Sequence, residues 1–337
     1  MSERIETAVL RDFSVSLCRA AGLSADDAAL LTDSILFAEC RGVTSHGLLR
    51  LPQYIARLRS GATASNVPMP FTMESGGTAR LDAQNGLGQL AGRKASDKAE
   101  ELAAKYGVSF VAVANSNHFG TGAWYAIPAA RRGFFAFNIS SAASAMAPHG
   151  AAQPLLGTDP VGLALPRGEG KAPLALDMAL STAARGKIRY AALNGTPIPE
   201  TWGLDAHGGT LLPAGGAKGS GLAIFIELLC AVLTGSGALG GTGLLSDLSR
   251  PAGTGHIFGC VDIKRFLPLE TFEALCEESL SSVTSLTPAQ PGGEILLPGE
   301  PEERRAAESA ANGVPVAPAL RDTLNALAEE LGCAARI

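Results

Sequence analysis

Aromatic side chains make up only 5% of the 337 residues, too few for a row of base-stacking platforms. Lysine and arginine never gather into a stripe, and the net charge is −5, so nucleic acid is not an expected partner. None of the six cysteines (Cys18, Cys40, Cys230, Cys260, Cys276, Cys333) stands in a CxxC pair. That excludes the common zinc and thiol-redox spacings and reads as a reduced, cytoplasmic chain. No HExxH or similar spacing links the five histidines, so no metal is expected. There is no GxxxxGK[ST] phosphate loop and no GxSxG nucleophile elbow. The longest apolar run, Leu222–Leu233, holds Glu227 and falls short of the roughly 20 residues that span a bilayer, so no membrane partner is expected. The opening MSERIETAVLRDF is charged throughout and does not resemble a secretion signal.

What is present is a hydrophobic content of 46% against 18% charged residues, which implies a globular chain with a large core. Val9, Phe13 and Leu17 share one helical face, and Gly22 ends that helix. Ser24 with Asp27 starts a second helix that runs to Gly42, and Pro52 opens a third that ends at Gly61. Residues 62–75 read as a connector. Strands are expected at Thr78–Asp82, Val108–Val113, Phe134–Ile139, Val161–Leu165, Leu174–Met178 and His256–Ile263. Helices are expected at Gly86–Tyr106, from Pro268 to about Leu280, at Pro301–Ala311 and at Ala317–Leu331. Leu222–Leu233 is apolar on nearly every face, which predicts a central, buried helix. Residues 1–75 with 301–337 are expected to form one helical unit. Residues 76–300 would form an α/β cofactor- and substrate-binding region of two subdomains.

Three polar, glycine-rich stretches stand out in so apolar a chain. RGVTSHGLLR (Arg41–Arg50) places a hydroxyl (Ser45), an imidazole (His46) and a guanidinium (Arg50) within six residues. An imidazole suits proton transfer near neutrality, and an arginine fork suits a carboxylate. The second stretch is SNHFGTG (Ser116–Gly122) and the third is GGAKGSG (Gly215–Gly221). In the third, Lys218 before an apolar helix favours a phosphate or carboxylate. GLGQLA at Gly86–Ala91 fits a dinucleotide fingerprint, but the following strand runs into Ala114 and Asn115 with no acid to bind a ribose. A tight turn into a helix is the better reading of those glycines. Asp177 ends a strand, where ligands are often held, but it equally suits a helix N-cap. Glu227 needs a partner if buried. The residues alone reach an enzyme for a small anionic substrate, with room for a phosphate-bearing cofactor. They do not reach hydride transfer.

Taken together, RGVTSHGLLRLPQY, SNHFGTG, GTDPVGLALP, LDMALSTAARGKI and GGAKGSGLA resemble the malate/L-lactate dehydrogenase family, whose NAD(P)-dependent members are not Rossmann enzymes. The resemblance implies an α/β fold with a mostly antiparallel central sheet flanked by helices, its helical ends packed together, and a homodimer. It implies His46 as proton donor with Ser45 as relay, and Arg50, Thr158, Arg185 and Gly186 on the substrate side. Cofactor contacts would come from His118, Phe119, Gly120, Thr121, Gly122, Asp177, Met178, Ala179, Lys218, Pro298, Gly299, Glu300 and Arg304. The cofactor would be NADP or NAD, with NADPH slightly favoured. The MAPHGAAQPLLGT stretch is most similar to the branch reducing Δ1-piperideine-2-carboxylate and Δ1-pyrroline-2-carboxylate. A malate- or lactate-type 2-hydroxy acid dehydrogenase is the alternative, and a non-catalytic metabolite-binding protein a third reading. Three positions depart from the family pattern: Asp159 stands where Asn is common, Ala217 where His is common, and Leu180 where Thr is common. If Asp159 faced the substrate it would disfavour a second negative charge there.

Overall fold

The computed structural model describes residues 3–183, 188, 197–204 and 210–337. Seven strands form one sheet: β2 (Phe71–Ser75), β3 (Thr78–Asp82), β4 (Phe110–Ser116), β5 (Phe134–Ser140), β6 (Val161–Leu165), β7 (Leu174–Met178) and β8 (Thr254–Asp262). Their order is β2-β3-β4-β8-β5-β6-β7. Only β3 and β4 run parallel, so the sheet is mostly antiparallel, as the resemblance implied. The late strand β8 is central, and its first seven residues are all buried. At Gly259 a Cβ would come within 2.2 Å of the Phe137 ring, so only glycine lets the neighbouring strand's ring lie flat there.

Helix α4 (Gly88–Tyr106) crosses between β3 and β4 and lies on the sheet. Ala91, Ala95, Ala99 and Ala103 repeat every fourth residue and are buried, so a stripe without bulk allows close packing. Helix α5 (Ala123–Arg131), not anticipated from the sequence, begins directly after the SNHFGTG stretch.

The helical layer is built from α1 (Thr7–Ala20), α2 (Ala25–Cys40) and α3 (Leu51–Ser60). Ser24 caps α2 by accepting from Asp27 N–H, as its spacing predicts. The layer's core joins Leu10, Phe13, Leu31 and Ile55 to Val314, Leu324 and Ala328 from the other end of the chain. A two-stranded ladder closes it, with β1 (Glu3–Ile5) antiparallel to β9 (Val314–Val316).

Two expectations are corrected. The connector at 62–75 contains strand β2, where the edge position leaves most of the strand exposed and weakens any hydrophobic alternation. The apolar stretch Leu222–Leu233 is buried on one face only, through Ala223, Ile226, Glu227, Cys230 and Ala231. It spans α6 (Ala217–Glu227) and a π turn at Leu228–Val232. Leu222, Phe225, Leu228, Leu229, Val232 and Leu233 all face outward in the single chain, Phe225 at 69% exposure. The all-round apolar pattern therefore does not by itself predict burial on every face.

Candidate active site

Ser45 and His46 lie on a 3-10 turn (Thr44–His46), and Arg50 ends the next one (Leu48–Arg50), so the stretch between α2 and α3 is two tight turns. Glu39, buried at the end of α2, holds them from behind by accepting Leu48 N–H at 2.7 Å. Gly47 passes so close that a Cβ would sit 1.9 Å from Glu39 Oε2. Burial pushes the Glu39 carboxyl up to about 7, against the opposing pull of the Leu48 hydrogen bond.

The imidazoles of His46 and His118, 72 positions apart in the chain, stack with ring centres 5.4 Å apart. Ser45 Oγ shares a 2.9 Å hydrogen bond with His46 Nδ1, and Tyr54 OH shares one of 2.6 Å with His118 Nδ1. Arg50 donates from Nε to Ser45 O (2.6 Å) and from Nη1 to Gln53 Oε1 (2.9 Å), which aims its guanidinium beside the Ser45–His46 turn. His118, expected as a cofactor-turn residue, thus lies against the proposed proton donor. Tyr54 was missed by the sequence reading, although its place four residues after Arg50 at the start of α3 was a usable signal.

The rest of SNHFGTG is fixed by packing. Phe119 lies between His256 (4.7 Å, 7° between planes) and Tyr125 (5.3 Å, 21°). His256 is buried and spans two strands, with Nδ1 on Ser140 Oγ and Nε2 on Ser116 Oγ. At Gly88 a Cβ would lie 2.2 Å from Asn117 O and 2.4 Å from His118 O. The glycine of GLGQLA therefore admits this chain's own backbone, which agrees with the turn reading rather than a phosphate site.

Asp177 ends β7 and accepts Ala123 N–H at 2.9 Å, with Gly122 N–H beside it. Its carboxylate caps the first turn of α5 from another strand, which is the capping reading of this residue, applied to a helix other than the one that follows it. Solvent reaches its side chain, yet the surrounding protein desolvates the carboxyl enough to raise it to about 6. Asn138 Nδ2 donates to Gly122 O, completing the turn. The 298–304 segment runs along the same strand: Ala175 N–H donates to Pro298 O, and Gly299 (φ 85°) would strike Ala175 O with any Cβ. Arg304 is held by Glu294 (Nη1 to Oε2, 2.7 Å) and Glu300 (Nη2 to Oε1, 2.7 Å). Thr158 O accepts Leu180 N–H, which ties the 157–159 loop to the residues after Met178 and Ala179. Lys218 is exposed on the first turn of α6, joined to this group through the Ala214 N–H to Leu180 O bond four residues earlier. Arg185 and Gly186 lie outside the described residues. Asp159 does not face the cleft; its side chain is fully buried towards Glu227, which removes the argument against a doubly charged substrate. Among the described residues no group of His, Cys, Asp and Glu could hold a metal ion.

Desolvation, and then the Arg50 charge, lower His46 to about 4. Desolvation lowers His256 to about 3, and His118 falls well below its ordinary value. All three are neutral at neutral pH. An unfolded chain protonates them near 6.5, so their contribution to stability is present above that value and is lost as pH falls towards 4 and 3. NMR of ring-labelled protein should show His46 without a titration step between about pH 8 and pH 5. A step near 6.5 would contradict the desolvation of this ring.

Residues 5–325 match the family model described as malate/L-lactate dehydrogenase. The chain is 31% identical to malate dehydrogenase of Pyrococcus abyssi, with 98% of this chain and 95% of that protein covered. The solved sulfolactate dehydrogenase from Methanocaldococcus jannaschii superposes with a TM-score of 0.91 at 32% identity, over 98% of each chain. Delta1-piperideine-2-carboxylate reductase from Pseudomonas syringae pathovar tomato superposes with a TM-score of 0.86 at 29% identity, over 97% of this chain and 100% of that one.

Proposed function

The chain belongs to the malate/L-lactate dehydrogenase family of NAD(P)-dependent oxidoreductases, and from that premise we propose that it reduces a small cyclic 2-imino acid of the Δ1-pyrroline- or Δ1-piperideine-2-carboxylate type. The observation that carries this reading is a neutral imidazole beside a guanidinium. Arg50 takes the carboxylate by its paired N–H donors. With Nδ1 engaged by Ser45, Nε2 is the His46 nitrogen that would meet the substrate. A cyclic imine is basic enough to take its proton from solvent, and in that protonated form its N–H can donate to Nε2 while C2 takes the hydride. A 2-oxo acid needs a proton on its oxygen as well, which His46 would first have to take up.

The cofactor supplies the hydride when bound. The donor set fits such a group: an acceptor carboxylate open to solvent at a strand end (Asp177) suits ribose hydroxyls, and a cation on the first turn of a helix (Lys218) suits a pyrophosphate. Enzymes named for NAD(+) and for NADP(+) both occur among the relatives, and Arg304 is the cation on the 298–304 segment that would meet a 2′-phosphate.

The same neutral His46 also suits the reverse chemistry, taking the hydroxyl proton of a 2-hydroxy acid as hydride leaves C2. That second reading draws support from the malate and sulfolactate relatives. Absorbance loss of NADPH and NADH with the two imines, pyruvate, oxaloacetate and larger 2-oxo acids separates them. Higher kcat/KM on the imines is the expected result. Higher kcat/KM on an oxo acid would move the chain to the hydroxy-acid reading, and no turnover with any of them would favour a protein that only binds.

A homodimer is part of the proposal, supported by the exposed apolar face of α6 and its π turn. Sedimentation should give twice the chain mass, and Phe225→Asp should give a monomer. The six free thiols support a reducing, cytoplasmic setting.

A further inference from the structure

We propose that Asp159 and Glu227 share a single proton, and that this buried clasp is what holds the 157–159 loop and presents Thr158. The link to substrate rests on the reading of Thr158 as a substrate-side residue; the clasp itself does not.

Both acids are withdrawn from water, at 0% and 1% exposure. One oxygen of each is satisfied by backbone: Asp159 Oδ1 accepts Ala142 N–H at 3.2 Å, and Glu227 Oε1 accepts Gly157 N–H at 3.3 Å. The other two, Asp159 Oδ2 and Glu227 Oε2, have no hydrogen-bond partner among the described residues, and the Leu239 N–H adds only a lesser pull on the Glu227 carboxyl. Yet the two carboxyls lie within hydrogen-bonding reach of each other. Two acceptors in that arrangement repel unless a proton stands between them. One proton turns one carboxyl into a donor and satisfies both orphan oxygens at once.

No positive side chain among the described residues enters the electrostatics of either acid. The other titratable group facing them is Cys230, on the π turn, whose thiol is pushed well up by burial and then by both acids, so it stays neutral. Nothing nearby can balance a second negative charge. The backbone on both sides is irregular. Asp159 has a φ of +36°, rare for a residue with a side chain, and Glu227 is the last residue before the π turn. At Gly157 a Cβ would strike Asp159 Oδ1 at 2.3 Å and Ala142 O at 2.5 Å. The loop is therefore drawn onto the Asp159 carboxyl, and Thr158 is held between two residues that the clasp fixes. Its own carbonyl reaches Leu180 N–H, just beyond the strand end that carries Asp177.

The sign of the pH effect follows. The shared proton keeps the folded-state pKa above the ordinary carboxylate value. Stability from the clasp is complete below that value and is lost as pH rises through the pair's own pKa. In Asp159→Asn the side-chain Nδ2 donates to Glu227 Oε2 without needing a proton, and Glu227→Gln does the same from the other side.

The test compares wild type, Asp159→Asn and Glu227→Gln as full-length protein. Thermal unfolding of the wild type should lose several degrees relative to both variants between about pH 5 and pH 9. Infrared spectra of the wild type should show a protonated-carboxyl C=O stretch that moves in D2O and is missing from both variants. Parallel unfolding curves together with no such band would overturn the clasp. Should one variant fail to fold, the other and the wild-type band still decide. With an accepted substrate, the wild-type KM should rise on the alkaline side about one pH unit or more before that of Asp159→Asn. A band that is present while KM follows the same profile in both proteins would overturn the role given to Thr158 and leave the clasp standing.

Discussion

His46→Ala is expected to slow oxidation of a 2-hydroxy acid by about 10²- to 10⁴-fold in kcat, the range that a positioned proton-transfer group contributes. The hydroxyl proton must leave as hydride leaves C2, and His46, with Nδ1 held by Ser45, is the base proposed for it. The same variant should cost imine reduction much less, because a protonated imine brings its own proton. Cofactor affinity, followed by quenching or energy transfer in the reduced nicotinamide's fluorescence, should change little. The His118 ring stacked on His46 is anchored separately by Tyr54, so the neighbouring turn keeps its shape. Unchanged kcat on every accepted substrate would remove His46 from the mechanism.

Arg50→Lys should lower kcat/KM for any carboxylate substrate by about 10²- to 10³-fold, the loss that follows when one partner of a hydrogen-bonded charge pair is truncated. A lysine keeps the charge, but it lacks the planar fork that grips two carboxylate oxygens. It also loses the Nε bond to Ser45 O, so part of the effect should fall on kcat. Arg50→Met carries a second, independent signature. The Arg50 charge is one of the two causes that lower His46, so removing it should move the His46 titration upward from about 4. A methionine variant whose His46 still titrated near 4 would mean that burial alone sets the value. By the same logic a bound carboxylate partly neutralises Arg50. The acidic limb of kcat should then lie at higher pH than that of kcat/KM.

The sequence reads well where local rules decide. The bounds expected for β3, β6 and β7 coincide with the structure, because each is a short run between strong turn signals. The stops at Gly22, Gly61 and Gly107 hold because each glycine takes a positive φ after a helix. Legibility fails where a distant partner decides. Strand β2 is an exposed edge with no pattern of its own, and its existence depends on β3. The stacking of His46 on His118 needs two turns brought together by α3 and α4. Asp177 looks like the cap of whatever follows it, but it caps a helix that begins 54 residues earlier. Asp159 looks like a charge available to a substrate, and only the fold turns it inward to Glu227. In each case the residue type was informative, and its partner was supplied by tertiary packing.

The ladder that joins β1 to β9 also sets an order in time. Helices α1, α2 and α3 are made before the sheet, yet their core is completed by Val314, Val316, Leu324 and Ala328. Until those residues emerge, Leu10, Phe13, Leu31 and Ile55 have no closed interior to enter. The turn that carries Ser45, His46 and Arg50 sits on that unfinished layer. The sheet can assemble once β8 is made, but the turn with the proposed proton-transfer residues gains its full support only after Val314–Ala328 are made. A nascent chain that stops short of Val314 is therefore expected to expose apolar side chains of this layer and to lean on chaperones until those residues emerge.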